Sequence, residues 1–425
     1  MSAPPGPQQP QQPYSAGPQQ QPYPGGPPPE QQAYPGGPQQ QPQPYSGGPQ
    51  PQQYSGGAQP QPYQGGLQQA YPGSPQPYPA QQPYPYPPAP VAPVSPLPTE
   101  PSEYQQLFRG PRRRWWRPLI SLLLAAGFWI VQVVLLTVAF MIYSAVIGRS
   151  IDETMTSLTG GDLGPDAFLF NNLILIALIP SVLLANRIAH GLKTGYTTSV
   201  AGRVRWGWLA RCLITVAPLW VIYLGLGQVF FPAASPRPEQ WVAMLILVLL
   251  TTPLQCAAEE YGFRAWILQN VGSWIRHPIV AIVIATVLSS AVFALAHGSL
   301  DFFVLADIGL FAVAAVILTW RTGGLEAAIA IHTVNNVLIF VSIMIFGGWE
   351  DALVGPETTG SPITLIMSAV VDAIAVALIL WQAKVAKIDR LYRPAPPNSP
   401  VAQVAPAQPG YPDPGQQYGQ PGQPG

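Results

Sequence analysis

The sequence predicts an all-α, polytopic membrane protein with eight transmembrane helices and a disordered tail at each end. Three observations support this fold class. Only 9% of the 425 residues are charged, whereas 48% are hydrophobic. The hydrophobic residues are concentrated in blocks in the middle of the chain. Both ends are rich in proline, glutamine and glycine, a composition that cannot bury enough apolar surface to form a core.

The N-terminal tail is predicted to cover residues 1–108. Tyrosines recur in it at short intervals between Gln-Pro runs. Its apolar content is too small to offset the conformational entropy that ordering would cost. The composition is compatible with a passive arm, or with a segment that binds partners through its prolines and tyrosines. Residues 391–425 have a similar composition and are predicted to form the second tail.

The membrane domain is predicted to cover residues 109–390. It opens with arginines interleaved with Trp115 and Trp116, side chains that anchor a helix at a membrane interface. Eight apolar blocks follow, and each is near or above the ~20 residues that a helix needs to cross a bilayer. The blocks are approximately 119–147, 167–186, 206–230, 241–268, 278–297, 302–320, 325–346 and 363–382.

The loops between these blocks differ in charge. Arginine and lysine are concentrated in the loops on one side, and the loops on the other side are acidic or nearly uncharged. The positive-inside rule therefore predicts a multi-pass protein of the cell membrane, in contact with the lipid bilayer, with both termini cytoplasmic. Two histidines, His190 and His277, lie in predicted cytoplasmic loops and are expected to be solvated. The formal net charge is zero, so nucleic acid is not expected as a partner.

Two adjacent carboxylates and an arginine follow the apolar run of the fourth block. Ionisable groups at membrane depth cost at least ~2.5 kcal/mol each and mark functional sites. On an α-helix, Glu260 and Arg264 share one face and are expected to form an ion pair. Glu259 points about 100° away from its neighbour and is left as the free carboxylate.

The remaining two histidines lie within or at the ends of predicted spans. His297 stands four residues after Phe293, and His332 stands four residues before Asn336, so each pair shares a helix face. An imidazole, an amide and a carboxylate in one enclosed cavity supply a general base with oxyanion donors. The same groups could instead serve as metal ligands.

These three blocks resemble the motifs of the CAAX-protease and bacteriocin-processing family of intramembrane endopeptidases. The blocks read EEYGFR at 259–264, FALAH at 293–297 and HTVNN at 332–336. Their order, and their positions on the fourth, fifth and seventh predicted spans, are similar to those of the family. The resemblance covers residues 240–340, and the tails look like additions to it.

The resemblance implies that the protein hydrolyses a peptide bond of a membrane-associated peptide or protein substrate near the cytoplasmic face. By position, Glu259 would activate a water molecule with the assistance of His297. His332 and Asn336 would stabilise the oxyanion.

Three further motif residues would act as structural support. Glu260 and Arg264 would brace the helix, and Phe293 would contribute packing. A purely structural role is also open for the catalytic candidates. Glu259 could join the ion pair as a third member, and either His297 or His332 could bridge two helices by a hydrogen bond.

The resemblance leaves the cofactor open between none and zinc. Glu259, His297 and His332 could hold a zinc ion with one open position. A metal-free mechanism fits the same residues, and Asn336 favours it because a carboxamide suits an oxyanion better than it suits zinc.

The depth of the two histidines poses a geometric difficulty. At ~1.5 Å per residue, a straight fifth span would carry His297 ~28 Å from its start, whereas His332 would lie ~10 Å from the inner end of its own span. The two can meet only if the fifth helix begins well outside the bilayer, or if the spans tilt strongly around a water-filled cavity.

Two functions without proteolysis stay open at this point. The first is a non-catalytic scaffold or immunity protein of the same fold that binds a peptide or partner protein. The second is a transporter that uses Asp307 and Asp372, two carboxyl groups within spans that match no motif. A buried, hydrogen-bonded or protonated aspartate is the structural alternative for both residues.

Overall fold

The computed structural model describes residues 94–158, 164–233, 235–349 and 354–395. Within these ranges the chain is almost entirely helical. The α-helices are α1 Arg117–Val146, α2 Ile151–Leu158, α3 Pro165–Ile176, α4 Leu178–His190, α5 Gly195–Thr198, α6 Trp206–Phe230, α7 Trp241–Glu259, α8 Ile267–Trp274, α9 Pro278–Leu295, α10 Phe302–Thr322, α11 Glu326–Phe346 and α12 Pro362–Val385. A 3₁₀-helix at Tyr104–Arg109, a π-helix at Glu260–Trp266 and two short strands, β1 Ser102–Glu103 and β2 Leu391–Tyr392, complete the described part.

Eight segments of the described chain are long and apolar enough to cross a membrane, which confirms the predicted all-α, eight-span architecture. α3 and α4 together form the second span, and α7, the π-helix and α8 together form the fourth. The spans are Arg117–Val146, Pro165–His190, Trp206–Phe230, Trp241–Trp274, Pro278–Leu295, Phe302–Thr322, Glu326–Phe346 and Pro362–Val385.

The fourth span is longer than a bilayer requires. It contains 34 residues, and at ~1.5 Å per residue it is about 50 Å long, against a hydrocarbon core of ~30 Å. Its last part, α8, packs against α9 and against the 3₁₀-helix. The end of the fourth span can therefore project beyond the hydrocarbon core, with the start of the fifth span packed beside it.

The residues just before the first span are folded, so the predicted tail boundary at residue 108 is wrong. Tyr104, Leu107 and Phe108 are fully buried or nearly so, and they pack with Tyr261 and Leu325 of the membrane domain. The fold of this segment was not predicted because its few apolar residues directly follow a Pro-rich stretch. Residues 1–93 and 396–425, where the rest of the predicted tails fall, lie outside the described residues.

The segments that flank the first and last spans pair with each other. Strand β1 is antiparallel to β2, with Ser102 opposite Tyr392 and Glu103 opposite Leu391. Residues 391 and 392 are thus part of the folded domain, which corrects the predicted start of the second tail. The pairing agrees with eight spans, because an even number of crossings returns the chain to its starting side.

The arginine and tryptophan stretch before α1 folds over the end of α8. Arg109 and Arg113 both donate to the carbonyl oxygen of Ser273, and the indole of Trp274 donates to the carbonyl oxygen of Trp115. Burial and two neighbouring arginines lower the pKa of Arg109. The stretch therefore caps a helix end with its guanidinium groups.

His190 is buried, and the expectation that it would be solvated is wrong. Its Nε2 atom lies 2.9 Å from Oδ1 of Asn270, and its ring stacks on Phe108 at 4.0 Å between centroids. Both partners are remote from His190 in sequence, so the pattern around it could not reveal them. His277 is exposed, as expected, and its side chain accepts a hydrogen bond from the backbone N–H of Val280 at the start of α9.

Candidate active site

The first motif lies where the fourth span changes its helical geometry. α7 ends at Glu259, and residues Glu260–Trp266 form a π-helix where the sequence predicted a continuous α-helix. Single π turns inside α-helices occur frequently at functional sites. This turn carries the second carboxylate and the arginine of the motif, and it packs against α4, α9 and α10.

Glu260 and Arg264 form the predicted ion pair. Nη1 of Arg264 lies 3.2 Å from Oε1 of Glu260, and both side chains are fully buried. No guanidinium nitrogen makes an aligned hydrogen bond to any described residue, so the pair is held by distance and charge. The guanidinium also faces the ring of Phe293 at 3.9 Å from its centroid, which adds a cation–π contact.

His332 of α11 lies between the two carboxylates of the first motif. Its Nδ1 atom is 2.8 Å from Oε1 of Glu260, and its Nε2 atom is 3.4 Å from Oε2 of Glu259. Gln255, one turn before Glu259, donates from Nε2 to Oε1 of Glu259 at 2.6 Å. Glu259 is therefore partnered on both oxygens, and the expectation of a free carboxylate is wrong. The pattern of residues on one helix could not predict that an imidazole from another span lies beside Glu259.

The ring of Phe293 connects the second motif to the other two. Its centroid lies 4.8 Å from that of His297, 5.8 Å from that of His332 and 5.2 Å from that of Phe263. The side chain is almost fully buried. Its packing role agrees with the sequence interpretation, and the ring brings residues of the fourth, fifth and seventh spans to one point.

The antiparallel extension of the fourth and fifth spans accounts for the depth at which these residues meet. α9 begins beside α8, and Ser289 of α9 donates to the carbonyl oxygen of Phe263 at 2.7 Å. This register places Phe293 beside the end of α7. Of the two solutions anticipated, the structure favours a fifth helix that starts alongside the extended end of the fourth.

His297 reaches the same aromatic ring but not the carboxylates. It follows the end of α9 at Leu295, and its Nδ1 atom lies 2.8 Å from the carbonyl oxygen of Phe293. Within the described residues it makes no hydrogen bond or ion pair with Glu259 or His332. The side chain is half-buried, and its Nε2 atom is left without an intramolecular hydrogen bond in this part of the chain.

Asn336 is linked to both neighbouring spans. Its Oδ1 atom accepts a hydrogen bond from Nδ2 of Asn335 at 2.9 Å, and Oδ1 of Asn335 accepts one from the indole of Trp220 at 2.9 Å. Asn336 is also an electrostatic neighbour of Cys256, three residues before Glu259, whose thiol donates to Oε1 of Gln255 and to the carbonyl oxygen of His332. Asn336 is thus a neighbour of α7 about one turn before Glu259.

Residues 238–338 match the family model of type II CAAX prenyl endopeptidase Rce1-like proteins. They form an Rce1-like domain. The uncharacterized protein YyaK of Bacillus subtilis (strain 168) is 22% identical to the chain over 295 residues, which cover 64% of this chain and 93% of YyaK. No solved structure matches the chain.

The Rce1-like domain coincides with the region of residues 240–340 in which the sequence showed the three motifs. All of the side chains that contact His332 belong to it. Trp220 of α6 lies outside it and is linked to the third motif by its hydrogen bond to Asn335. Gln255 and Trp220 lie outside the motifs, and no sequence signal marked them. Their polar side chains within apolar spans are the only pattern that could have suggested a role.

The Rce1-like domain does not assemble the proposed zinc ligands into a metal site. Within the described residues no group of three or more His, Cys, Asp or Glu side chains is arranged to hold a metal ion. Glu259 and His332 face each other, but His297 is turned to the backbone of Phe293. The set of three ligands suggested by the sequence is therefore not supported by this geometry.

The centre of the Rce1-like domain is nearly closed. Glu259 is 8% exposed and His332 is 3% exposed. The ring of Phe311 covers a further side of His332, at 5.3 Å between centroids.

The two unassigned carboxyl groups lie at another interface. Asp307 of α10 accepts a hydrogen bond from the hydroxyl of Ser368 on α12. Asp372 follows one turn later on α12 and is buried. Neither takes part in an ion pair with a described residue. Both are separate from the carboxylate and histidine site of the Rce1-like domain.

Proposed function

We propose that the protein is an intramembrane endopeptidase that hydrolyses a peptide bond of a membrane-associated substrate. The observation that carries this proposal is the approach of Oε2 of Glu259 to Nε2 of His332, 3.4 Å apart across two spans of the Rce1-like domain. The matched family consists of proteases, which supports a hydrolase. A lipid-modified peptide is a substrate class that such a membrane-embedded site can reach from the bilayer.

Glu259 is the proposed general base. Gln255 holds Oε1 by a hydrogen bond of 2.6 Å, whereas Oε2 faces Nε2 of His332 at the longer distance of 3.4 Å, so Oε2 is the oxygen that can take a proton from water. The activated water oxygen attacks the carbonyl carbon of the substrate. The proton then passes from Glu259 to the nitrogen of the leaving amine as the C–N bond breaks.

His332 and Asn336 are the proposed partners of the oxyanion. Nδ1 of His332 is engaged by Glu260, so the ring can reach the oxyanion only through Nε2, which lies beside Glu259 and donates when the ring carries both protons. The amide group of Asn336 approaches the same stretch of α7 through Cys256. Donors held in place before the reaction stabilise the charge that develops on the carbonyl oxygen.

His297, Phe293, Glu260 and Arg264 complete the proposed site. Nε2 of His297 is the atom available to assist Glu259, because Nδ1 is engaged by the backbone. The ring of Phe293 contacts both histidines and the guanidinium of Arg264.

The orientation in the membrane is part of the proposal. The basic residues before α1 and after α12 lie on the side that carries β1 and β2. The positive-inside rule supports a cytoplasmic location of this side and thus of both termini, in the cell membrane. The extended end of the fourth span then lies on the cytoplasmic side as well.

Comparative membrane proteomics of the wild type and Glu259→Ala tests the proposal. Precursor peptides are expected to accumulate in Glu259→Ala membranes and not in membranes with Glu239→Ala, which removes an exposed carboxylate of the same domain. A non-catalytic scaffold would keep its cellular phenotype in Glu259→Ala. Identical peptide profiles in all three membranes would refute proteolysis.

A further inference from the structure

We infer that Trp220 and Asn335 are positioning residues that fix the orientation of the Asn336 amide. This inference rests on the proposed function and deepens it, because Asn336 is a proposed oxyanion donor. Neither residue touches the reacting atoms. Their proposed role is to decide which end of the Asn336 side chain faces α7.

The hydrogen-bond chain runs in one direction. The indole N–H of Trp220 donates to Oδ1 of Asn335 at 2.9 Å, and Nδ2 of Asn335 donates to Oδ1 of Asn336 at 2.9 Å. The oxygen and nitrogen ends of a carboxamide have nearly the same shape, so their hydrogen bonds decide the orientation. An indole nitrogen can only donate. Trp220 therefore fixes the orientation of Asn335, and Asn335 fixes that of Asn336.

The position of α11 explains why two adjacent residues can form this relay. α11 packs against α6 on one side and against α7 on another. Successive helical residues point about 100° apart, so Asn335 can face Trp220 of α6 while Asn336 faces Cys256 of α7. Trp220 is only 1% exposed and lies in the apolar cluster between α6, α11 and α12, which keeps its ring fixed.

The consequence lies at the other end of Asn336. Because its oxygen accepts from Asn335, its NH₂ group is directed towards α7, where Cys256 is the side-chain neighbour. Sulfur is a weak hydrogen-bond acceptor. A developing oxyanion is a much stronger one and can replace it. In the opposite orientation Asn336 would present its oxygen to the oxyanion and repel it.

Replacement of Trp220 by Phe tests the relay. The substitution removes the indole N–H and also replaces the indole by a smaller aromatic ring, so its control has to lose the same volume. The matched control is Trp208→Phe on the same helix. Trp208 is buried in the same cluster, and its Nε1 atom has no hydrogen-bond partner among the described residues. Asn335→Leu removes the next link while keeping a side chain of similar size.

Initial rates are measured with purified variants and a synthetic copy of the precursor peptide that accumulates in Glu259→Ala membranes. Loss of one oxyanion donor costs about 10²- to 10³-fold in kcat, so Asn336→Ala is expected in that range and Trp220→Phe at about 10-fold or more. KM is expected to stay near the wild-type value. Asn335→Leu is expected to resemble Trp220→Phe, and Trp208→Phe to resemble the wild type.

A double variant separates positioning from general packing. In an Asn336→Ala background, Trp220→Phe is expected to cause no further loss of kcat, since the group that it orients is gone. With Glu259→Ala inactive, any of three results would overturn the inference. These are equal losses of kcat in Trp220→Phe and Trp208→Phe, additive losses in the double variant, or a wild-type kcat in Trp220→Phe. Full activity of Glu259→Ala, or no precursor in its membranes, would instead overturn the proposed function and the inference with it.

Discussion

The Nδ1 atom of His332 lies 2.8 Å from Oε1 of Glu260. The same carboxylate oxygen lies 3.2 Å from Nη1 of Arg264, so one buried oxygen holds a guanidinium of its own helix and an imidazole of another span. Glu260 therefore does more than brace the fourth span. By engaging Nδ1, it determines that Nε2 is the nitrogen that faces Glu259.

Replacement of Glu260 by Gln is expected to destabilise the protein more than replacement of its neighbour. Removing one partner of a buried ion pair costs about 3–5 kcal/mol, because the other charge is left uncompensated. Arg264 would be that charge. Glu259→Gln is the matched control, since Glu259 contacts Gln255 and His332 but no arginine. Thermal unfolding of the purified variants measures the difference. Equal melting temperatures would contradict the role of Glu260 as the partner of the buried Arg264 charge.

Replacement of Phe293 by Ala is expected to disturb both stability and activity. Truncation of a buried phenylalanine costs about 3–5 kcal/mol, through lost burial and the cavity that remains. His297 and His332 would also lose the ring that they share. The control is Val292→Ala on the same helix, where the side chain is 41% exposed. Unfolding and peptide cleavage are measured for both, and a Phe293→Ala protein with wild-type values would show that the ring is dispensable.

The eight spans and the Glu260–Arg264 ion pair could be predicted from the sequence because both follow from local patterns. Span length depends on consecutive apolar residues, and an ion pair at four-residue spacing depends on one helix. The π-helix at Glu260–Trp266 could not be predicted in this way. It changes the helical geometry where the fourth span meets three other elements, so it depends on tertiary packing.

The contacts that were missed all join remote parts of the chain. His190 was expected to be solvated because it lies in a predicted cytoplasmic loop, yet its partners Phe108 and Asn270 are about 80 residues away on either side. Glu259 was expected to be free because its neighbours on the helix offered no cation. The imidazole that approaches it comes from α11, and no pattern within one span contains that information.

The folded segment before α1 gives a third prediction. Leu107 is fully buried in a cluster with residues of the membrane domain, although the sequence placed it in a disordered tail. Leu107→Ala is expected to lower the free energy of unfolding by about 2–5 kcal/mol, the usual cost of a buried leucine. Val94→Ala, at a side chain that is 58% exposed, is expected to change it little. The melting temperatures of both variants are measured in the full chain. Equal values would contradict the conclusion that the segment is folded.

Asp372 gives a fourth prediction, which separates proteolysis from transport. Within the described part of the chain its carboxyl group makes no hydrogen bond or ion pair, so Asp372→Asn breaks no contact. Removal of a buried ionisable group without a partner costs no paired interaction and can stabilise the fold. Asp372→Asn is therefore expected to keep its melting temperature and its peptide cleavage. Proton-coupled flux in the wild type that disappears in Asp372→Asn would favour a transporter instead.

Asp301, which begins α10, gives a prediction of pH dependence. Its Oδ1 atom accepts hydrogen bonds from the backbone N–H groups of Val304, Gly360 and Phe303, at 3.1, 3.0 and 2.9 Å. These bonds lower the pKa of Asp301 below its ordinary value. A carboxylate with a lowered pKa in the folded state stabilises the fold above its unfolded pKa. That stabilisation is lost as the pH falls through the lowered, folded pKa.

Asp301→Asn is expected to remove this acid dependence while keeping an oxygen that can cap the helix. The melting temperature of the wild type is therefore expected to fall more steeply than that of Asp301→Asn as the pH drops below about 4, the ordinary aspartate range. At neutral pH the wild type is expected to be the more stable, since the negative charge also suits a helix N-terminus. Asp152→Asn on α2 is the control, because its side chain is exposed and no backbone hydrogen bond to it is found among the described residues. Parallel pH profiles for the wild type and Asp301→Asn would contradict a lowered pKa of Asp301 in the folded state.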